Sequence, residues 1–319
     1  MRSLAKYLTS CSLELIQTME NQGISQQVEL FQIIVYIPTF ILGLLFNIMA
    51  LWMVFVKIKK WMESTTYVVT LIIVDTLLLF TLPFKMYAYN WRDNWKLGSM
   101  FCSFLESLYF VNMYGSILIS MCICVDRYIA IRYPFCSQIL RSPKKAMAAC
   151  FIVCIIVWSG SSVFIYKLHE SNNGTGTQCF YGFSNTTWTN TSLVAMLETV
   201  FLSSVIIMTF CTANIIVSLR KKIESKTQTS LGNKSLKIVT ANLATFVVCF
   251  TPFHISIFLY YLVKSNVLSS TLYLPLRTFV QVSLCVANIN CFLDAICYYL
   301  VFKEFLKSVP QNRLIRGRN

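Results

Sequence analysis

The chain reads as an all-α protein, a bundle of seven membrane-spanning helices, and three observations predict this. Seven apolar stretches follow one another, near 30–57, 67–90, 99–132, 144–166, 193–219, 234–264 and 272–300. Each meets the ~20 residues that a helix rising 1.5 Å per residue needs to cross about 30 Å of hydrocarbon. The 319 residues are 56% hydrophobic and only 13% charged, with a mean hydropathy of +0.62, too little polar surface for a soluble protein of this length. The basic residues, finally, are distributed one-sidedly between the stretches.

That distribution sets the expected orientation. Lys57, Lys59 and Lys60 follow the first stretch, and Arg127, Arg132, Arg141, Lys144 and Lys145 surround the loop after the third. Six more lie within 220–237 and five after residue 300, so 19 of the 27 Lys and Arg fall on one face, which the positive-inside rule makes cytoplasmic. A net charge of +14 placed in this way is matched to anionic membrane lipid and a cytoplasmic partner, not to nucleic acid. The opposite face carries three N-glycosylation acceptors in one loop, Asn173, Asn185 and Asn190. The division expected is therefore an extracellular segment 1–29, a seven-helix domain 30–300 and a cytoplasmic tail 301–319. Residues 1–29 lack the pattern of a cleaved signal, so the first span is expected to direct insertion.

Taken in order, the spans carry polar residues at helical spacing. The first has Gly43-Leu44-Leu45-Phe46-Asn47; the second has Leu71-x-x-x-Asp75, Pro83 and Lys85. In the third, residues 102, 106, 109, 113, 116, 120, 123 and 127 advance by fours and threes and share one face. That stripe runs from Cys102 through Glu106, Tyr109, Met113 and Ser116 to Arg127, within the triplet Asp126-Arg127-Tyr128. Trp158 lies in the fourth span and Glu198 in the fifth, which has no proline. The sixth contains Cys249-Phe250-Thr251-Pro252 and His254, and the seventh Arg277, Asn290 and Asp294-Ala295-Ile296-Cys297-Tyr298. Cys102 and Cys179 both fall on the oxidising side, where a disulfide between them is expected to persist.

Together these landmarks resemble the class A (rhodopsin-like) G-protein-coupled receptors, from about residue 30 to residue 309. Phe302-Lys303-Glu304-Phe305 is similar to the start of the amphipathic eighth helix of such receptors. Leu82–Met86, Leu108–Ser116 and Leu140–Pro143 resemble the lysophosphatidylinositol receptors, whereas Trp61, Ala241–Leu243 and Leu293–Tyr299 are at least as similar to the related kynurenic-acid receptors. Met113 stands where the latter have an Arg for their acidic ligand, which favours the former. The resemblance implies a plasma-membrane receptor for an acidic amphipathic lipid, with a small aromatic carboxylate as the alternative ligand. It also implies a heterotrimeric G protein of the Rho-linked and calcium-mobilising kinds, engaged through Asp126, Arg127, Tyr128, Phe250, Pro252 and Tyr298. Receptor kinase and arrestin are further expected partners, acting on the hydroxyls of 218–235, since Ser308 alone follows the seventh span.

The chain departs from the family pattern at four places. Asp294-Ala295 replaces Asn-Pro, Phe250 replaces a Trp, the fifth helix lacks its proline, and Gly232 lies where many receptors place an acid facing the arginine of the triplet. The inactive state is accordingly expected to be held less firmly from the sixth helix.

Ionisable residues inside hydrocarbon are costly and mark sites. Asp75, Ser116, Asn290 and Asp294 are expected to converge, either on an allosteric sodium ion, as the resemblance implies, or on a proton shared by two carboxylates. Lys85 lies ten residues, hence about 15 Å, nearer the outside than Asp75. Either its stem carries the ammonium to the interface or it anchors an anion, in a site lined by Tyr87, Glu106, Tyr109, Met113, Glu198, His254 and Arg277. With two His and no metalloprotease, P-loop or nucleophile-elbow pattern, an enzyme is not expected, and no cofactor beyond sodium is implied. An ion channel or transporter is the rival class, disfavoured by the lack of inverted repeats.

Overall fold

The computed structural model describes residues 26–57, 61–90, 95–171, 179–180, 189–224 and 230–307. Among them run α1 (Gln26–Trp52, prolonged by a π-helical turn over Met53–Lys57), α2 (Glu63–Asn90), α3 (Ser99–Arg132) and the short α4 (Pro134–Leu140). These are followed by α5 (Pro143–Ser171), α6 (Thr191–Glu224), α7 (Ser230–Lys264) and α8 (Tyr273–Lys307). All but α4 are long and apolar enough to cross a membrane, and the seven candidate spans agree with the expected ones to within about a turn.

Local chemistry explains the starts. Pro134 and Pro143 open α4 and α5, where a missing N–H leaves no bond unmade. The Asn190 side chain accepts the Leu193 N–H at 3.2 Å and so caps α6. Pro38, Pro83 and Pro252 lie inside α1, α2 and α7. Without proline near Asp294, α8 runs uninterrupted from the seventh span through Phe302–Phe305 to Lys307, so the residues expected for the eighth helix are helical and continuous with it.

The bundle is apolar on its outer surface and sets buried polar and charged residues within a largely apolar core. Along α1, Leu30, Ile34, Ile37, Ile41, Leu45 and Ile48 form an exposed stripe at helical spacing, while Asp75, Lys85, Asn112, Asn242, Asn288 and Asp294 are buried. Gly43 lets α1 approach α2, since a methyl group in its place would meet a Leu79 carbon at 2.5 Å. At the centre stands α3, packed against α2, α5, α6 and α7. Its predicted face is interior: every member from Cys102 to Ile123 is buried, and Arg127 closes the stripe at 15% exposure.

Cys102 and Cys179 form the expected disulfide, their Cα atoms 5.7 Å apart, joining α3 to the segment that follows α5. The bond lies in a buried cluster with Ala88, Trp95 and Leu105, so cutting it also unseats the roof of the bundle. Changing either cysteine to Ser is expected to abolish surface expression or ligand response, and the double variant to be no worse than either single one. Normal expression and response of the single variants, measured by surface labelling and signalling, would count against this. Asn173 and Asn185 lie outside the described residues, as does Cys11; Asn190 is exposed.

Candidate functional site

At the disulfide end, Lys85 does not reach outward. The residue is 3% exposed, and its ammonium donates to the Tyr109 hydroxyl at 3.2 Å and lies 4.4, 5.2 and 5.8 Å from the ring centres of Tyr109, Tyr36 and Phe180. Tyr109 is the hub. Its oxygen also accepts the Asn288 side-chain N–H, which fills its two lone-pair positions and turns its own proton toward the Tyr36 oxygen, 3.3 Å away. The Cys285 thiol donates to the same Tyr36 oxygen at 3.3 Å, the Gln32 amide donates to the Gln281 side chain at 3.0 Å, and Tyr89 donates to Gln32. α1, α2, α3 and α8 are thereby tied at one level.

An ammonium has three donors, and aromatic faces satisfy them weakly, at about 0.5–2 kcal/mol. The arrangement therefore leaves an oriented cation able to take a stronger, anionic acceptor. Glu106, also buried, accepts the Phe180 backbone N–H at 2.7 Å and so holds that ring over the lysine, while its charge acts on Lys85 from beyond hydrogen-bond contact. Tyr87 packs edge-on to Trp95 beside the disulfide, and Arg277 is buried at 6% exposure in the first turns of α8. Cys102, Glu106 and Cys179 cluster at metal-ligand spacing, but both sulfurs are committed to the disulfide.

A second polar focus joins α3, α6 and α7. His254 is 1% exposed, pairs through Nδ1 with Glu198 at 3.3 Å, and stacks on Phe201 with ring centres 4.0 Å apart. The Tyr114 ring meets it edge-on, and neither His254 Nε2 nor the Tyr114 hydroxyl has a hydrogen-bond partner among the described residues. Phe201 stacks in turn on Phe246, which meets Phe250 at 5.4 Å. Met113 belongs to the same buried core. An aromatic column thus descends from His254 through Phe201 to Phe246, and Phe250, two residues before Pro252, meets its lower end.

Midway down, Asp75 Oδ1 accepts from Asn112 at 2.9 Å and from Ser116 at 3.5 Å, while Asn290 donates to Asp294 at 2.8 Å. Asp75 Oδ2 is buried and unpartnered among the described residues, and Asp294 lies close enough to act on Asp75 electrostatically. Asp75 with Ser116 and Asn290 with Asp294 thus form two pairs whose carboxylate, hydroxyl and amide oxygens are of the kind a small hard cation binds. Asn47 on α1 ties this level to the Cys291 carbonyl at 3.0 Å.

At the other end Arg127 donates to Asp126, through Nε at 3.0 Å and through Nη2, and to the Ser64 hydroxyl. Arg141 grips the same Asp126 with Nε on Oδ1 at 2.6 Å and Nη2 on Oδ2 at 2.9 Å, and reaches Glu63 at 3.3 Å. Half-burial opposes the charge on Arg141, yet the Asp126 and Glu63 carboxylates hold its pKa above the ordinary value. α7 is tied to α3 here by a neutral bond, Asn242 to the Ser120 carbonyl at 3.0 Å, although the acid of the family pattern is missing. Tyr128 packs edge-on to Phe210 on α6; of Tyr298 the structure describes the helical backbone.

Lys85, Tyr109, Glu198 and His254 were expected in one lining and Asp75, Ser116, Asn290 and Asp294 in another; the structure pairs Lys85 with Tyr109, Glu198 with His254, Asp75 with Ser116, and Asn290 with Asp294. The sequence reading passed over Gln32, Tyr36, Asn112, Arg141, Cys285 and Asn288. Spacing carried a usable signal for some: Gln32 and Tyr36 are four apart, and Gln281, Cys285 and Asn288 repeat at four and three, one face of a helix.

Comparison with known proteins agrees with this geometry. The family model described as 7 transmembrane receptor (rhodopsin family) matches residues 46–298. The chain is 36% identical to G-protein coupled receptor 55 of Mus musculus, over 88% of this chain and 89% of that protein. It is 34% identical to Lysophosphatidic acid receptor 6 of Mus musculus, over 85% and 80% of the two, and 32% identical to G-protein coupled receptor 35 of Mus musculus, over 83% of each.

Proposed function

Because the chain belongs to the rhodopsin family of seven-transmembrane receptors, we propose that it is a plasma-membrane receptor for an acidic lysophospholipid, of the lysophosphatidylinositol kind, that activates heterotrimeric G proteins. Family membership makes it a multi-pass membrane receptor and not an enzyme, and displaces the channel reading. One observation carries the ligand class: the buried Lys85 ammonium, held on the Tyr109 hydroxyl among three aromatic rings, is built for an anionic headgroup. A relative named for lysophosphatidic acid supports it.

In this reading the headgroup meets Lys85, and the acyl chain packs toward Met113 and the His254–Phe201 stack. Displacement of that stack passes along Phe246 and Phe250, α7 swings outward about Pro252, and Arg127 leaves Asp126 to engage the G protein. Asp75, Ser116, Asn290 and Asp294 would hold a sodium ion; the charge it supplies favours the unliganded arrangement. The amino terminus and the glycosylated loop with Asn173, Asn185 and Asn190 face outward, and the basic loops meet the G protein, then receptor kinase and arrestin. Rho-linked and calcium-mobilising coupling follows from the resemblance.

The test is a panel of lysophospholipids with different headgroups against aromatic and aliphatic carboxylates, read by G-protein dissociation in cells. Lysophosphatidylinositol is expected to dissociate the heterotrimer at concentrations where the carboxylates do nothing. Activity of the carboxylates alone would transfer the site to the small-acid alternative.

A further inference from the structure

We propose that Arg141 is a positioning residue of activation: by holding Asp126 from the loop between α3 and α5, it lets Arg127 leave. The inference rests on the receptor reading above and adds to it how the arginine of the triplet is released.

Asp126 is 6% exposed and carries two guanidinium groups. Arg141 takes both carboxylate oxygens side-on, at 2.6 and 2.9 Å, whereas Arg127 uses Oδ2 alone. The lock is thus already a shared one. Were Arg127 the single partner, its departure would strand a nearly buried carboxylate, the costly half of breaking such a pair. With Arg141 in place, both oxygens keep a donor when Arg127 moves. Two cations on one anion also repel each other, which loosens the weaker. Both effects ease release.

Arg141 is held for this task. It is the C-cap of α4, its backbone N–H bonded to the Ser137 carbonyl at 3.0 Å, and its remaining contact is Glu63 in the first turn of α2. Arg127, for its part, donates to Ser64, the next residue along α2. The α4 segment and α2 therefore form a fixed frame against which one arginine stays and the other moves.

The sign is opposite to that of a simple lock, in which removing any ion pair at this end raises activity. In membranes carrying the full chain and G protein, nucleotide exchange would be measured at matched surface level, with and without lysophosphatidylinositol. The variants are Arg141→Gln, Arg141→Lys, Asp126→Asn and the double Asp126→Asn/Arg141→Gln. Asp126→Asn is expected to raise basal exchange. Arg141→Gln is expected to lower basal and stimulated exchange by about fivefold or more, the least that an unpaired buried polar group costs. Arg141→Lys, which keeps the charge and loses the two-pronged grip, is expected to fall between, and it decides by the same sign if Arg141→Gln does not reach the surface. On the Asp126→Asn background Arg141→Gln is expected to change nothing. Unchanged or raised exchange in Arg141→Gln overturns the proposal, as does an equal fall on the Asp126→Asn background, which would make Arg141 a direct G-protein contact. Silence of lysophosphatidylinositol with active Asp126→Asn defeats the ligand assignment alone, and the basal arms then decide. Silence of both defeats the receptor reading and this inference with it.

Discussion

Lys85→Ala is expected to reduce the potency of an acidic lysophospholipid by well over tenfold, with unchanged surface level. The ammonium is buried, and its contacts are one hydroxyl and three ring faces, so an anion arriving there forms the strongest interaction available to it. Truncating one partner of a desolvated charge pair costs about 2–5 kcal/mol, a factor of roughly 30 or more, whereas an exposed pair loses at most about 1 kcal/mol. Lys85→Arg retains the charge without the compact geometry and is expected to recover part of the potency. A near-normal concentration-response curve for Lys85→Ala, at matched surface level, would refute the anchor and direct attention to Arg277.

Asp75→Asn is expected to abolish the dependence of agonist affinity on sodium and to alter basal or maximal signalling without touching the ligand site. The substitution preserves size, and the asparagine oxygen can still accept from Asn112 and Ser116; what disappears is the charge on the oxygen that has no partner among the described residues. Allosteric couplings of about 1–3 kcal/mol correspond to changes of roughly 5- to 150-fold, so replacing sodium by an organic cation at constant ionic strength should raise wild-type agonist affinity at least about fivefold. A full sodium effect surviving in Asp75→Asn would exclude Asp75 as a ligand. Absence of the effect in the wild type would leave the carboxylates sharing a proton.

Helix number, span positions and the interior face of α3 were legible because the membrane imposes length and the helix imposes period. Each of these is a one-dimensional pattern. The surroundings of Lys85 beyond Tyr109 were not, because they come from two further helices and a loop segment: Tyr36 on α1, Asn288 on α8, which reaches Lys85 through Tyr109, and the backbone-held Phe180 meet only after packing. The charge of Glu106 acts on Lys85, yet its hydrogen bond goes to the Phe180 backbone N–H, a partner that no side-chain pattern announces. Arg141 escaped for a similar reason. In a basic loop it looked like one more cytoplasmic charge, and only the α4 turn brings it back onto Asp126. α7 carries Gly232 in place of the family's acid, and the neutral Asn242–Ser120 bond that ties α7 to α3 has no charge pattern to announce it.

The hydroxyl hub at Tyr109 changes the thermodynamics of recognition as well as its chemistry. A free lysine side chain gives up about 1.5–2 kcal/mol of rotational freedom when it is fixed. Here folding has already fixed it, since Tyr109 accepts from Lys85 and from Asn288 and is itself steered by Tyr36. A ligand therefore meets a cation whose ordering entropy was lost beforehand, and the free energy of the new contact is expressed as affinity with little deduction. The same rigidity disfavours any headgroup whose anion lies at another depth.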